Sequence, residues 1–431
     1  MTDVTLLLRH PISGLARAPP SKSYTHRALL IASLAEGRSV ISNALSSRDT
    51  DATASACAAF GARLEKREGS LLVEGCVPSA PSDVIDAMNS GTTLRFMTSA
   101  LSLAREGYSV ITGDESIRRR PMQPLLDALG SLGVYAWSTR GNGCAPIVVR
   151  GGGMKGGEAR MRGDISSQFV SSILIASPLA EGDDVLLRVD GAVSRPYIDA
   201  TLSVMKHYGV EVSRDGYELF TVCSGQRYSG SDFTVPGDFS SASFLLAAAA
   251  VTGGRVEVKG LGGPLPQGDE RVLQILKKMG VSVSRGDDSV TVKSDGSRLS
   301  GGAFNLSDTP DLLPVVAVLA LRCDSPVTVT GVAHARHKET DRISVLAGEL
   351  VKLGVSVREE RDGLTVSPAA RLRRAGLDSH GDHRMFMAFC LASLLLPRGL
   401  PVSGRECLDV SYPGFLDDIS RLGATVMEGE R

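Results

Sequence analysis

Most of the residues that could do chemistry lie in short segments of Ser, Thr, Asp and Gly that come directly before apolar helical stretches. Six such segments begin at Ser21, Asn89, Asp164, Asp238, Ser307 and Gly381. Each segment supplies capping residues and then a helix that we predict to be buried. One segment alone is typical of an ordinary helix cap. Six in the same phase indicate helix N-termini that lie on one side, where free N–H groups suit phosphate or carboxylate ligands.

Basic residues stand inside or beside these segments. Lys22 and Arg27 flank the start of the first helix, where two cations next to free N–H groups suit an oxyanion. The run HKETDR from His337 to Arg342 brings a lysine, a glutamate and an arginine within one turn. Solvated basic faces and ion pairs three or four residues apart explain such runs equally well without any function.

Asp311 is the carboxylate that could act as a proton acceptor. It follows Thr309 and Pro310 at the start of a predicted helix. The helix dipole favours any carboxylate in the first turn, so a purely structural role is equally open from the residues alone.

An internal period organises the elements that must position these residues. A helical segment that ends in Gly and continues into a short alternating strand recurs roughly every 70–75 residues. The six glycines are Gly61, Gly133, Gly209, Gly280, Gly354 and Gly423. The polar stretch from Ser224 to Asp232 separates three repeats from the next three. The sequence therefore predicts two similar halves, each built from three βα units.

Composition excludes several classes of protein. The chain has 431 residues with 42% hydrophobic and 22% charged residues, which is typical of a globular protein of two or three domains. A formal net charge of -1 gives no overall signature for nucleic acid or an anionic membrane. Seven cysteines without a Cys-x-x-Cys pair predict neither a disulfide framework nor a zinc site, and a reducing cytoplasm is expected.

Two apolar stretches and one glycine-rich segment also carry expectations. The stretches from Phe244 to Val251 and from Phe386 to Leu396 are shorter than the ~18 residues needed to span a bilayer, so we predict buried helices. The N-terminus shows no targeting pattern. The segment GGGMKGG, from Gly151 to Gly157, lacks the ending of a P-loop and is predicted to be a hairpin loop.

Seven motifs along the whole chain carry a resemblance to a known family. They are SKSYTHR from Ser21, NSGTTLR from Asn89, RRRPM from Arg118, SSQF from Ser166, SRPYID from Ser194, HKETDR from His337 and GDHRM from Gly381. In this combination and order they resemble the 5-enolpyruvylshikimate-3-phosphate synthase family.

The resemblance implies a two-domain α/β enolpyruvyl transferase fold. Each domain would hold three βαβαββ repeats, an inverse α/β barrel, with helix N-termini facing the interdomain cleft. The expected N-terminal domain covers residues 15–228, and residues 1–14 with 229–431 form the other, with crossovers near 14–20 and 225–235.

The resemblance also implies a reaction. The enolpyruvyl group of phosphoenolpyruvate would pass to the 5-hydroxyl of shikimate 3-phosphate through a tetrahedral intermediate, with release of phosphate. The two domains would close on these substrates. No cofactor, metal, nucleic acid or membrane partner is implied, and a cytoplasmic monomer is expected.

Site residues are carried over from the matching motifs. Asp311 resembles the family's base, and Lys22 or Glu339 its proton donor, an alternative that the sequence leaves open. The residues expected to bind shikimate 3-phosphate are Lys22, Ser23, Arg27, Ser166, Ser167, Gln168, Ser194, Asp311 and Lys338. Those expected to bind phosphoenolpyruvate are Lys22, Gly91, Arg120, Gln168, Arg342 and Arg384.

Two positions depart from the family pattern. His334 stands where many members have an asparagine, and Val410 where a lysine commonly precedes the Ser/Thr-aromatic-Pro segment. The pattern resembles an archaeal type more than a typical bacterial one, and one phosphoenolpyruvate cation is missing.

Two rival functions remain at this point. A UDP-N-acetylglucosamine enolpyruvyl transferase shares the fold, but it typically has a cysteine before the Arg-Pro step, where this chain reads GDESIRRRP. A noncatalytic phospholigand-binding protein would not need the base and acid residues together.

Overall fold

The computed structural model describes residues 2–430, and the chain divides into two compact units. Residues Pro20–Val235 form what we call the continuous unit. The residues up to Pro19 together with those from Pro236 onwards form the split unit. Strand Ser13–Arg17 pairs with Arg255–Lys259 of the split unit, and this unit continues to Pro19, whereas the sequence predicts an N-terminal domain that begins at residue 15.

The described residues form 24 strands, twelve in each unit. In chain order they are β1 Thr2–Leu8, β2 Ser13–Arg17, β3 Arg38–Ser42, β4 Arg63–Arg67, β5 Ser70–Glu74, β6 Ile85–Asp86, β7 Tyr108–Thr112, β8 Ala136–Ser138, β9 Ile147–Arg150, β10 Gly157–Arg162, β11 Val185–Asp190, β12 Ser213–Asp215, β13 Leu219–Val222, β14 Phe233–Thr234, β15 Arg255–Lys259, β16 Ser282–Arg285, β17 Ser289–Lys293, β18 Gly302–Asn305, β19 Val327–Thr330, β20 Ser356–Glu360, β21 Gly363–Ser367, β22 Leu377–Asp378, β23 Pro401–Ser403 and β24 Ala424–Glu430.

Twelve α-helices accompany the strands, six in each unit of the described chain. They are α1 Lys22–Leu34, α2 Arg48–Ala59, α3 Gly91–Leu101, α4 Gln123–Ser131, α5 Ser167–Ala176, α6 Arg195–His207, α7 Phe239–Thr252, α8 Val272–Lys278, α9 Leu313–Leu319, α10 Arg342–Val351, α11 His383–Ser393 and α12 Phe415–Arg421. Among residues 2–430, no helix is both long enough and apolar enough to cross a membrane.

The strands form six four-stranded sheets that repeat one pattern, three in each unit. The sheet β10-β11-β13-β12 shows it: β10 and β11 are parallel, β11 and β13 antiparallel, and β13 and β12 antiparallel. Two strands join the sheet of a repeat that is distant along the chain. β14 pairs with the earlier strand β3 in the continuous unit, and β2 pairs with the later strand β15 in the split unit. The predicted α/β fold with three βαβαββ repeats per domain is confirmed.

Alternate helices of each unit are buried almost completely. They are α1, α3 and α5 in the continuous unit and α7, α9 and α11 in the split unit. Every residue of α7 except Thr252 is buried, and every residue of α11 is buried. Both long apolar stretches of the sequence are therefore buried helices, as predicted, although the second helix ends at Ser393.

The six polar segments lie where the sequence predicts them, at the starts of these buried helices. Four of the capping side chains accept a hydrogen bond from a backbone N–H in the first turn: Ser90, Ser166, Asp238 and Asp382. Ser21 caps α1 without such a bond, and a 3-10 segment, Pro310–Leu312, leads into α9. Caps of this kind account for the Ser and Asp residues at these positions.

The glycine-rich segment 151–157 is not a hairpin loop, so this prediction is wrong. It joins β9, in the sheet β6-β7-β9-β8, to β10, in the sheet β10-β11-β13-β12. Several of its glycines are needed for close backbone approach. A Cβ on Gly151 would meet the carbonyl oxygens of Ala104 and Glu106 at 2.7 and 2.8 Å.

Candidate active site

The split unit holds a buried arginine that binds three carboxylates. Arg342, the first residue of α10, is only 1% exposed. Its Nε donates to Asp382 Oδ2 at 2.7 Å, Nη1 to Asp311 Oδ1 at 2.7 Å, and Nη2 to Glu339 Oε2 at 2.8 Å. The carboxylates hold the pKa of Arg342 above its ordinary value against the opposing effect of burial. This guanidinium therefore fixes three acidic side chains from three different segments.

Asp311 is the carboxylate with the most cationic surroundings in this cluster. Besides Arg342, Lys338 Nζ lies 3.5 Å from Oδ1, and Arg384 Nη2 lies 3.1 Å from Oδ2. Burial alone would raise the pKa of Asp311, but Arg384, Lys338 and Arg342 together hold it well below the ordinary value. The group is consequently an ionised carboxylate at neutral pH, able to accept a proton.

Two short segments, one before α10 and one before α11, position the side chains of this cluster. Lys338 and Glu339 follow the 3-10 segment Ala333–His337, and Asp341 caps α10 by accepting a hydrogen bond from Ser344 N. Asp382 caps α11 and also accepts from Arg342, so that one carboxylate orients both Arg342 and the helix that carries Arg384. The sequence analysis missed Asp382, which was interpreted as part of an ordinary cap motif.

His334 and Asp269 are two further buried titratable groups of the split unit. Burial, with Lys338 adding to it, lowers the pKa of His334 to about 4, so this side chain is neutral at physiological pH. Burial and the neighbouring charge of Asp311 raise the pKa of Asp269 to about 6, and Ser240 Oγ donates to its carboxylate.

At the other position that departs from the family pattern, Val410 is buried at the end of the 3-10 segment Arg405–Val410.

In the continuous unit, Lys22 lies in the first turn of α1 and pairs with Asp49. The distance from Nζ to Oδ2 is 2.9 Å, and Asp49 is buried in the first turn of α2. The sequence analysis missed Asp49, because a carboxylate in a helical first turn is what the dipole favours anywhere. Both charges are nearly excluded from solvent, so the ammonium keeps a fixed position.

Arg27 is held entirely within the continuous unit. Its Nε donates to Thr201 Oγ1 at 2.8 Å, Nη1 to the Ser23 carbonyl at 2.8 Å, and Nη2 to the Tyr197 carbonyl at 2.9 Å. The guanidinium also lies over the Phe96 ring, 5.3 Å from its centroid. Burial lowers the pKa of Arg27 to about 10. Three of its five N–H groups are thus used to fix its orientation.

Gly91 and Arg120 meet at the start of α3. Arg120 is buried, and its Nη2 donates to Asn89 Oδ1 at 3.2 Å and to Ser116 Oγ at 3.1 Å. A Cβ on Gly91 would lie 2.7 Å from Arg120 Nη1. The guanidinium of Arg120 therefore fills the space beside Gly91. Arg118 and Arg119 of the same run are exposed.

Gln168 links α3 to α5 through Arg95, another residue that the sequence analysis missed. Arg95 Nη1 donates to Gln168 Oε1 at 2.5 Å, and Gln168 Nε2 donates to Thr92 Oγ1 at 2.8 Å. Arg95 Nη1 also lies 3.3 Å from the position of a Cβ on Gly91. Arg95, one turn after Gly91 in α3, thus lies close to the same glycine as Arg120 and also holds Gln168 of α5.

Three of the serines expected to bind shikimate 3-phosphate lie at the starts of two helices. Ser166 caps α5 and accepts from Gln168 N, and Ser167 is the first, buried residue of that helix. Ser194 precedes α6 with φ 52°, a left-handed conformation that few residues other than glycine adopt. Such a strained position at a helix start is a feature of functional sites.

The expected residues fall into two sets, one in each unit. The group of the split unit contains Asp311, Lys338, Glu339, Arg342 and Arg384. The expected residues of the continuous unit lie at the N-terminal ends of α1, α3, α5 and α6: Lys22, Ser23, Arg27, Gly91, Ser166, Ser167, Gln168 and Ser194, with Arg120 against Gly91. Among residues 2–430, no cluster of His, Cys, Asp and Glu could hold a metal ion.

Comparisons with known proteins define the family. The model for EPSP synthase (3-phosphoshikimate 1-carboxyvinyltransferase) matches residues 8–419. The chain is 48% identical to the 3-phosphoshikimate 1-carboxyvinyltransferase of Methanothermobacter thermautotrophicus over 98% of each chain. It is 44% identical to that of Nitrosopumilus maritimus over 96% of this chain and 97% of the relative. Among solved structures, EPSP synthase from Acinetobacter baumannii matches with a TM-score of 0.82 and 27% identity over the full length of both chains.

The fold is that of solved EPSP synthases, and the cation clusters of each unit suit anionic ligands, so the class is an enolpyruvyl transferase. With a match over nearly its whole length, the chain belongs to the EPSP synthase family. It is an enzyme of the shikimate pathway that transfers an enolpyruvyl group to shikimate 3-phosphate.

Proposed function

We propose that Asp311 removes the proton of the 5-hydroxyl of shikimate 3-phosphate while the surrounding cations hold the anionic groups of both substrates. The observation that carries this proposal is the contact of one carboxylate with Arg342, Arg384 and Lys338. An ionised carboxylate is the form that a general base requires. Cations that also bind substrate anions would position the base against the hydroxyl.

Substrate binding would also make Asp311 a stronger base. In the free chain the three cations depress its pKa, which weakens it as a proton acceptor. The phosphate and carboxylate groups of the two substrates bring roughly five to six negative charges. Once these anions compensate Arg384 and Lys338, the pKa of Asp311 rises toward the pH at which the enzyme works.

We assign the carboxylate and phosphate groups of shikimate 3-phosphate to the helix starts of the continuous unit. Arg27 and Ser23 take the carboxylate, and Ser166, Ser167 and Ser194 the phosphate; Lys338 is the further residue that we assign to the phosphate. The position of these serines at the N-terminal ends of α5 and α6, where the helix dipole favours an anion, supports this assignment. Gln168, held by Arg95 and Thr92, lies between the two substrates.

We assign phosphoenolpyruvate to Lys22, Arg120, Arg342 and Arg384, with Gly91 shaping its site. Arg120 and Arg384 are buried guanidinium groups whose planar forks suit carboxylate and phosphate oxygens. Arg342 already makes hydrogen bonds to three carboxylates, so its part is chiefly to orient Asp311 and Glu339.

Of the two candidate proton donors, we favour Lys22 over Glu339. Lys22 presents an ammonium group with N–H donors, held in position by Asp49 Oδ2 at 2.9 Å. Glu339 accepts a hydrogen bond from Arg342 Nη2 at 2.8 Å, so its carboxylate already serves as an acceptor within the cluster.

Deuterium transfer in heavy water separates the two donors. A donor places its exchanged deuterium on the methylene carbon of the enolpyruvyl group, where mass spectrometry of the product detects it. We expect Lys22→Gln to lower the rate of deuterium incorporation by ~10²-fold or more, and Glu339→Gln to lower it much less. A larger effect of Glu339→Gln than of Lys22→Gln would instead assign the role of proton donor to Glu339. If neither variant slowed incorporation, both assignments would be wrong.

Substitution of Gly91 tests the assignment of Arg120. We expect Gly91→Ala to raise the KM for phosphoenolpyruvate roughly fivefold, because the new methyl group must displace the Arg120 guanidinium at a cost of ~1 kcal/mol. Binary binding of shikimate 3-phosphate, measured by calorimetry, should change little. The matched control is Gly130→Ala in α4, where a Cβ meets nothing within 4 Å. The assignment of Arg120 to phosphoenolpyruvate would be contradicted if Gly91→Ala and Gly130→Ala raised this KM equally. It would also be contradicted if Gly91→Ala weakened the binding of both substrates equally.

We further propose that the chain acts as a cytoplasmic monomer without a nucleic-acid or membrane partner. The formal net charge of -1 supports this proposal. Light scattering coupled to size exclusion tests it, and a mass of twice 45.3 kDa would contradict it.

A further inference from the structure

Five arginine side chains line one cavity of the split unit, with a volume of about 620 Å³. They are Arg298, Arg322, Arg371, Arg374 and Arg398. Within residues 2–430, no carboxylate side chain lines this cavity. A chain with a formal net charge of -1 thus concentrates five cations at one place without a lining counter-charge.

Backbone carbonyls hold three of these guanidinium groups in fixed positions. Arg298 Nη1 donates to the Cys323 carbonyl at 3.2 Å, Arg322 Nη2 to the Gly296 carbonyl at 2.6 Å, and Arg374 Nε to the Gly399 carbonyl at 2.9 Å. A guanidinium has five N–H groups, so donors remain on each of the three. Arg322 Nε is buried and finds no hydrogen-bond partner in the part of the chain that the structure describes.

Helix ends explain only part of this charge. The 3-10 segment Ala320–Arg322 that continues α9 and the residues just beyond the end of α11 contribute to the lining. The C-terminal end of a helix carries about half a negative charge and favours cations. Two such ends balance about one of the five arginines, so most of the positive charge in this cavity has no partner of this kind.

We propose that this cavity binds the polyphosphate chain of a small anion, of which a nucleoside triphosphate is the class that fits best. The forks of several arginines suit the closely spaced oxygens of consecutive phosphate groups. Leu321, Leu372 and Leu395 give the cavity an apolar wall against which a base can pack. Its volume lies in the range of ~300–1,000 Å³ that small-molecule sites have. None of these residues belongs to the site assigned to enolpyruvyl transfer.

Calorimetry on the full chain at ~0.1 M salt tests the proposal with ATP, inorganic tripolyphosphate and adenosine as probes. We expect saturable binding of ATP, weaker binding of tripolyphosphate and none of adenosine. The double variant Arg371→Gln/Arg398→Gln should weaken ATP binding roughly tenfold or more, because charged hydrogen bonds to phosphate are lost. The control is Arg358→Gln/Arg421→Gln, which removes the same charge from exposed ion pairs of the same unit. Its affinity for ATP should stay within about twofold of the native value.

Each other outcome has a definite meaning. Equal affinity for ATP and tripolyphosphate would support the site but assign it to inorganic polyphosphate. Three results would overturn the proposal: no saturable binding, equal losses in both double variants, or displacement of ATP by saturating phosphoenolpyruvate with shikimate 3-phosphate. Displacement would mean that ATP occupies the site of the enolpyruvyl transfer reaction.

Discussion

Replacement of Asp311 by asparagine is expected to lower kcat by ~10²–10⁴-fold while the affinity for shikimate 3-phosphate is kept or increased. The variant keeps the shape of the side chain and loses the proton acceptor. It also removes one negative charge from among Arg342, Arg384 and Lys338, which favours the binding of anions. Rapid-quench kinetics for the chemical step and calorimetry for binding measure the two effects separately.

Glu349→Gln is the matched control for the loss of a buried carboxylate. Glu349 is buried in the same unit, where it pairs with Lys352 at 2.7 Å and accepts from Asp378 N at 2.9 Å. We expect this variant to lose stability and to keep the native kcat. If Asp311→Asn behaved in the same way, Asp311 would be only a structural residue of the 3-10 segment before α9.

Removal of the Arg342 guanidinium is expected to destabilise the chain by ~3–5 kcal/mol. Arg342→Met leaves Asp311, Glu339 and Asp382 without their shared partner, and Asp382 is 0% exposed. Buried carboxylates that lose a cation cannot regain their hydration without opening the fold. Urea unfolding followed by circular dichroism gives the free energy of unfolding.

An exposed arginine of the same unit provides the comparison. Arg358, 74% exposed, pairs with Glu360 at 2.8 Å, and such surface pairs contribute only ~0–1 kcal/mol. Arg358→Met should therefore unfold at nearly the native urea concentration. A similar small change for Arg342→Met would show that the three carboxylates do not depend on Arg342.

The local features of the fold could be predicted from the sequence because short stretches encode them. Ser166 and Asp382 cap their helices through backbone groups two or three residues away, and Gly209 lies at the end of α6 with φ 88°. Because these helix caps and helix-ending glycines recur at one spacing along the chain, the three repeats of each domain could also be predicted. The loop 151–157 was predicted wrongly because its glycines are needed for close approach to backbone groups that are distant in sequence, such as the carbonyl oxygen of Glu106.

The partners within the site could not be predicted, because they come from distant segments. Asp49 lies 27 residues from Lys22, Gln168 lies 73 residues from Arg95, and Asp382 lies 40 residues from Arg342. Each of these residues has an ordinary local explanation as a cap or as part of a helical turn. Only the packing of helices against one another, within one repeat for Lys22 and Asp49 and between repeats for the other two pairs, shows that they orient the candidate catalytic groups.

The choice of acceptor substrate most directly tests the claim that the chain transfers an enolpyruvyl group to shikimate 3-phosphate with Asp311 as the base. The assay follows phosphate release from phosphoenolpyruvate with either shikimate 3-phosphate or UDP-N-acetylglucosamine as acceptor, at equal concentrations, for the native chain and for Asp311→Asn. The account predicts rapid release with shikimate 3-phosphate only, reduced by ~10²–10⁴-fold in Asp311→Asn. Release with UDP-N-acetylglucosamine at a comparable rate, or undiminished release by Asp311→Asn, would contradict it.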